Sequence, residues 1–279
     1  MNVRVGGVQL GPFTGDYHGD IKRAVRYINE AEGLEIDIIC FPELCITPYF
    51  PKSNGDGVQD WFLSLDDHRL KTVIDSTQDK HVTVIFPFAE NGVEGRFNSA
   101  LVINKGTVVG KYRKVHLPFL KKGSKFSNYE AELFQTGNLG FPVFNVSNIP
   151  IGIQICFDRH FPEGFRVLSL KGSKIIFLPS NSAAFDSDPL RLEMWERLVS
   201  VRAYENGVYL VAVNKAGWED GWDFMGNSMI VNPQGKVVKR LNMEEGIFFA
   251  DIPRDELQQP GRFLTKRTPG NYEEIVQSI

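Results

Sequence analysis

Three side chains able to do chemistry together each follow an apolar, strand-like run. Glu43 comes just after residues 36–40 (IDIIC), Lys114 follows a strand that starts at Thr107, and Cys156 ends the run 149–155 (IPIGIQI). A carboxylate, an ammonium and a thiol at strand ends supply a general base, a donor for a developing oxyanion and a nucleophile. A lone cysteine in such a place is ordinarily a small core residue, so the reading rests on the three side chains together. At a strand-to-helix turn, Cys156 is expected to be open to attack. It is also expected to lie beside the free N–H groups of the helix that begins within Phe157-Asp158-Arg159-His160-Phe161-Pro162-Glu163, which favour a thiolate.

The other cysteines, Cys40 and Cys45, form no C-x-x-C pair with each other or with Cys156. The odd count argues against a disulfide framework and a zinc site. Both read as packing residues. His18, His68, His81, His116 and His160 are scattered with no i, i+4 pair, which indicates neither a metal nor a local Cys-His dyad. Neither metal nor cofactor is expected. A Cys-His-Asp thiol hydrolase is the rival enzyme class, and it would need one of these histidines as base in place of Glu43.

The segments FPELCITPY (41–49), GKYRKVHLP (110–118) and CFDRHFPE (156–163) resemble the nitrilase superfamily of carbon-nitrogen hydrolases. Val8-Gln9, Gly226-Asn227-Ser228 and Asn232-Pro233-Gln234-Gly235 extend the resemblance over nearly the whole chain. It implies a triad of Glu43, Lys114 and Cys156, and a second glutamate at Glu130. Glu132 competes for that place, but the spacing to Phe134 and Gly137 selects Glu130. The resemblance also implies a four-layer αββα sandwich over residues 1–254 and a C-terminal extension, 255–279, that reaches over a partner subunit in a homodimer or larger homo-oligomer.

Substrate class follows from finer features of the same segments. Nitrilases usually carry Trp-Glu after the cysteine, whereas Phe157-Asp158 stands here, which favours amides over nitriles. The chain most closely resembles N-carbamoyl amino acid and N-carbamoyl amine amidohydrolases. An amidase acting on a simple small amide is the alternative, and a non-catalytic small-amide binding protein is a more distant one. Arg159 matches a position where carbamoyl-D-amino-acid hydrolases hold the substrate carboxylate, a role that suits a guanidinium fork. An ion pair of Arg159 with Asp158 or Glu163 is an equal reading. His160 stands where those enzymes have a second arginine, and Asn128 where they have a histidine, so D-specificity is not carried over. Protonated His160 would restore the charge as pH falls through its titration. Tyr49, His116, Asn181 and the backbone N–H of Phe157 complete the expected substrate-binding set. Trp195, Trp218 and Trp222 read as core or interface aromatics.

Of the 279 residues, 42% are hydrophobic, and the formal net charge is -3. That balance gives no long-range attraction to nucleic acid or to acidic membranes. The basic clusters 111–114 and Lys121-Lys122 are short. No apolar run approaches the roughly 18 residues of a membrane helix, and no charged-then-apolar leader opens the chain, so a cytoplasmic location and a small-molecule substrate are expected. Period-two and helical patterns predict strands over 3–10, 36–40, 81–86, 98–103, 107–112, 174–178, 209–213, 228–231 and 236–238. They predict helices over 20–31, 66–78, 162–170 and 190–205, the last opened by Asp188-Pro189. Two rounds of strand and helix, each ending in a hairpin, fit an α/β fold of two sheets whose apolar faces meet under outer helices.

Overall fold

The computed structural model describes residues 2–53, 55, 57–119, 127–184, 190–259, 261 and 263–277. Lys121, Lys122, Asp188 and Pro189 lie outside the described residues. The first half runs β1 (Asn2–Gln9), α1 (Tyr17–Gly33), β2 (Ile38–Cys40), α2 (His68–Asp75), β3 (Thr83–Gly92), β4 (Gly95–Asn104) and β5 (Thr107–Arg113). After the short α3 (Glu130–Leu133) come β6 (Phe144–Val146), β7 (Ile149–Ile153), α4 (Pro162–Leu170), β8 (Ile175–Pro179), β9 (Ala183–Ala184), α5 (Arg191–Asn206) and β10 (Tyr209–Val213). The chain closes with β11 (Ala216–Glu219), β12 (Trp222–Met225), β13 (Met229–Val231), β14 (Val237–Arg240) and β15 (Gly246–Pro253).

Alternation within the strands sets the layers. In β8, Ile175 and Phe177 enter one apolar core while Ile176 and Leu178 enter another; in β10, Tyr209, Val211 and Val213 separate from Leu210 and Ala212 in the same way. The shared inner core also takes Val3 and Val5 of β1 and Ile38 and Cys40 of β2, so it lies between two sheets. One sheet has the order β15-β1-β2-β3-β4-β5 and the other β14-β13-β10-β8-β7-β6. Outside the first, Ile21, Ala24 and Ile28 of α1 and Leu70 and Val73 of α2 cover Val8, Ile39 and Val84; outside the second, Phe165 of α4 and Trp195 and Val199 of α5 cover Leu178 and Leu210. The result is the four-layer α/β sandwich. In each sheet, three parallel strands carry antiparallel strands at the edges.

Several boundaries differ from the sequence reading for identifiable reasons. Helix α1 begins at Tyr17 because Asp16 caps it, its side chain accepting from the Gly19 N–H. Strand β3 runs through Pro87 to Gly92, since β2 pairs only as far as Ile85 and proline is tolerated where a strand has lost that neighbour. The strand before the cysteine stops at Ile153. Three short strands, β9, β11 and β12, build a third small sheet in the order β11-β12-β9. No helix among the described residues is long and apolar enough to cross a membrane.

Candidate active site

Glu43 is reached by a tight turn beyond β2, with Leu44 at φ 48°. Its carboxylate is fully buried and surrounded by donors. Oε1 accepts from Asn98 Nδ2 at 2.8 Å and from Lys114 Nζ at 2.8 Å, while Oε2 accepts from the Asn181 N–H at 3.1 Å. Lys114 is the first residue past β5. Its N–H donates to the Asn98 carbonyl, and its own carbonyl accepts from the Gly137 N–H, each at 2.8 Å. The ammonium also donates to Glu130 Oε2 at 2.6 Å, so one buried cation is shared by two buried carboxylates. Glu130 Oε1 accepts from the Tyr49 hydroxyl at 2.6 Å, and that hydroxyl accepts from Asn128 Nδ2 at 2.8 Å. Glu132, by contrast, is exposed.

Cys156 lies two residues beyond Gln154, whose N–H still bonds across to Phe177. Its φ of 44° is in the left-handed region that L-residues adopt at a cost, as expected where a side chain is pushed out at a turn. Only a 3-10 turn, Cys156–His160, follows before α4 begins at Pro162. Asp158 holds that turn: its buried carboxylate accepts from the Ile155 N–H at 2.9 Å, the Tyr112 hydroxyl at 2.8 Å and the His116 N–H at 3.0 Å, with His116 Nδ1 2.7 Å away.

Burial, then the Glu43 carboxylate, push the Cys156 thiol above the ordinary cysteine value, while Arg159 and Lys114 oppose them without prevailing. This corrects the expectation of a helix-lowered thiol: one short turn brings no macrodipole of consequence, and the thiol is 9% exposed. At rest, Cys156 is a neutral thiol that needs a base. Burial pulls the Lys114 ammonium down, but Glu130 and Glu43 together outweigh it and hold the group above the ordinary lysine value. Burial raises Glu130 against the pull of Lys114, and burial with Glu130 and Glu43 raises Tyr49, keeping its hydroxyl a donor.

Cys156 and Glu130 open onto a cavity of about 300 Å³. Of the expected substrate contacts, Tyr49, Phe157, Arg159 and Asn181 line it. His116 does not; it is spent on Asp158 and stacks on the Phe161 ring at 3.8 Å. Asn181 also braces the base, its Nδ2 donating to the Glu43 carbonyl at 2.7 Å, while its buried Oδ1 has no partner. Arg159 pairs with neither Asp158 nor Glu163, so the ion-pair reading fails; among the described residues it forms no ion pair. Trp222, read from the sequence as a core or interface aromatic, stands in the cavity wall against Tyr49, 5.1 Å between ring centres; β12 is too short to show a pattern that would have placed it there. A larger groove of about 440 Å³ between α4 and the C-terminal residues is lined by no thiol. Among the described residues, no group of three or more His, Cys, Asp or Glu side chains is arranged to hold a metal ion.

Residues 4–261 match the carbon-nitrogen hydrolase family. The chain is a carbon-nitrogen hydrolase. Its relatives include a protein named nitrilase from Pyrococcus abyssi (strain GE5 / Orsay), 30% identical over 251 residues that make up 90% of this chain and 89% of that one. An N-carbamoylputrescine amidase from Oryza sativa subsp. japonica is 31% identical over 255 residues, 86% of this chain and 82% of that one. The crystal structure of a carbon-nitrogen hydrolase from Helicobacter pylori G27 superposes with a TM-score of 0.89 at 24% identity, covering 99% of each chain, and so shows the same fold. This carbon-nitrogen hydrolase is therefore an enzyme of the nitrilase superfamily, an amidohydrolase acting on C–N bonds other than peptide bonds.

Proposed function

We propose that this carbon-nitrogen hydrolase cleaves an N-carbamoyl amino acid or N-carbamoyl amine to the free amine, carbon dioxide and ammonia through a thioester on Cys156. The observation that carries the mechanism is the buried Glu43–Lys114–Glu130 network, which reaches through Glu130 the cavity that Cys156 also lines. Glu43 takes the Cys156 proton as the sulfur attacks the carbamoyl carbon. Charge gathering on the oxygen is met by Lys114 and the backbone N–H of Phe157. Glu43 returns the proton to the departing nitrogen, the C–N bond breaks, and ammonia leaves a thioester behind. Water, deprotonated by Glu43, attacks that carbonyl; the C–S bond breaks, the sulfur regains a proton, and the carbamic acid released loses carbon dioxide to give the amine. Glu130 and Tyr49 hold the Lys114 ammonium in register.

Two cavity groups bear on the substrate. The unpartnered Asn181 Oδ1 suits the N–H donors of a carbamoyl group. Arg159, buried with no ion pair among the described residues, suits a carboxylate, which favours the amino acid over the amine. The amine reading draws support from the relative named N-carbamoylputrescine amidase. Ammonia release over a panel of N-carbamoyl-D- and L-amino acids, N-carbamoyl-β-alanine, N-carbamoylputrescine and simple amides separates the readings. The Arg159→Ala variant is expected to lose about 2 to 4 kcal/mol more in kcat/KM on carboxylate-bearing substrates than on uncharged ones. Turnover of simple amides alone would overturn the carbamoyl reading. We further propose a homodimer or larger homo-oligomer, supported by apolar side chains left exposed on α5 and in the C-terminal residues.

A further inference from the structure

Arg159 touches the nucleophile as well as the cavity. Its Nη1 donates to the Cys156 carbonyl at 2.9 Å and lies 3.5 Å from Sγ. The side chain is only 5% exposed and its Nε has no partner. A buried guanidinium without a carboxylate is costly. Here that cost is offset by the contacts to the cysteine and by the Trp195 ring, 5.5 Å from the guanidinium carbon. The carbonyl it grips belongs to the strained residue at φ 44°. Other charged or titratable groups face the sulfur from different elements: Glu43 and Tyr49 from the segment after β2, Lys114 from the end of β5 and Glu130 from α3. His160 lies on the same turn. The two carboxylates oppose a thiolate, and Lys114 is already engaged by both of them. Arg159 is engaged by no carboxylate among the described residues.

We propose that Arg159 is a catalytic residue for the nucleophile itself, clamping the Cys156 turn and stabilising negative charge on the sulfur as the proton passes to Glu43. The inference rests on the thiol mechanism but not on the substrate carboxylate. Alkylation of Cys156, in which sulfur displaces iodide, tests it on the intact protein without substrate. The Cys156 peptide is quantified by mass spectrometry across the neutral to alkaline range with two reagents, iodoacetamide and iodoacetate. In Arg159→Ala, labelling by iodoacetamide is expected to slow about tenfold at neutral pH, with the whole pH profile displaced to the alkaline side. Arg159→Lys, which keeps the charge, should recover most of the rate, whereas Arg159→Gln should not. An unchanged iodoacetamide profile in folded Arg159→Ala overturns the proposal. Should that variant not fold, equal rates in Arg159→Lys and Arg159→Gln overturn it instead. Iodoacetate reports separately on the carboxylate: a wild-type preference for it that vanishes in Arg159→Ala supports that substrate reading. Its absence, with iodoacetamide slowed, sinks the substrate reading and leaves the clamp standing.

Discussion

Lys114 lies between two buried carboxylates, so its loss is expected to be felt twice. Lys114→Met should slow formation of the thioester by about a hundredfold or more, as loss of an oxyanion donor does. It should also cost about 3 to 5 kcal/mol of stability, because Glu43 and Glu130 are left buried and facing each other. Single-turnover kinetics and urea unfolding measure the two effects separately. Arg113, its neighbour, serves Glu90 at 2.9 and 2.7 Å and Glu94 at 2.7 Å on the other side of the strand. Arg113→Ala should therefore destabilise the fold while the folded fraction keeps its kcat; equal kinetic losses in the two variants would show that the triad register is wrong. His160 corrects a residue-level expectation. Burial, then Arg159, Arg191 and Arg202, lower it to about 4, so acidic substrates gain no charge from it in mildly acidic solution. The unfolded chain, with an ordinary histidine near 6.5, binds that proton first, so stability is complete above 6.5 and declines as pH falls towards about 4. Urea midpoints followed over that window should fall more steeply for wild type than for His160→Asn. The chemical types at strand ends were legible in the sequence. The partnership of Asp158 with Tyr112 and His116 was not, because it joins residues 46 and 42 positions apart that no spacing rule connects.

Elements position these side chains by close approach. Gly137 passes so near the end of β5 that an added Cβ would meet the Arg113 carbonyl oxygen at 2.2 Å and the Lys114 carbonyl oxygen at 2.9 Å. Gly137→Ala is expected to destabilise by about 1 to 3 kcal/mol through overpacking. It should also lower kcat, since displacing a catalytic group by about 1 Å costs on the order of a hundredfold. Gly33→Ala, where nothing lies within 4 Å, is the matched control; a kcat in Gly137→Ala no lower than the control's would refute the positioning argument. At this scale the long periodic elements were readable, and α4 and β10 appear at Pro162–Leu170 and Tyr209–Val213 as expected. Strand β15 was not, because Phe248 and Ile252 face the inner core while Ile247 and Phe249 pack beneath the helices. A strand with apolar side chains on both faces loses the alternation by which strands are recognised.

At the scale of the whole molecule, β15 ties the end of the chain to its beginning, pairing antiparallel with β1 from Asn2↔Pro253 to Gln9↔Gly246. Among the described residues beyond it, the chain forms only short 3-10 turns, and Phe263 rests edge-on against Tyr204 of α5, 5.4 Å between ring centres. On this ground we propose a boundary between hydrolase domain and extension near residue 254. Ile275 and Val276 are 61% and 87% exposed, and Leu192, Met194, Val201 and Tyr204 leave an apolar surface on α5 as well. Apolar area of this kind is stabilised by removal from water at about 25 cal/mol per Å², which a second subunit would supply. A chain ending at residue 262 keeps every strand of both sheets, so it is expected to fold with a near-native circular dichroism spectrum, yet to associate less strongly in multi-angle light scattering. A chain ending at residue 245 strips β1 of its antiparallel partner and should not fold. If the full-length protein stays monomeric at micromolar concentration, or if the shorter chain associates as strongly as the full one, the oligomer with its bridging extension is excluded.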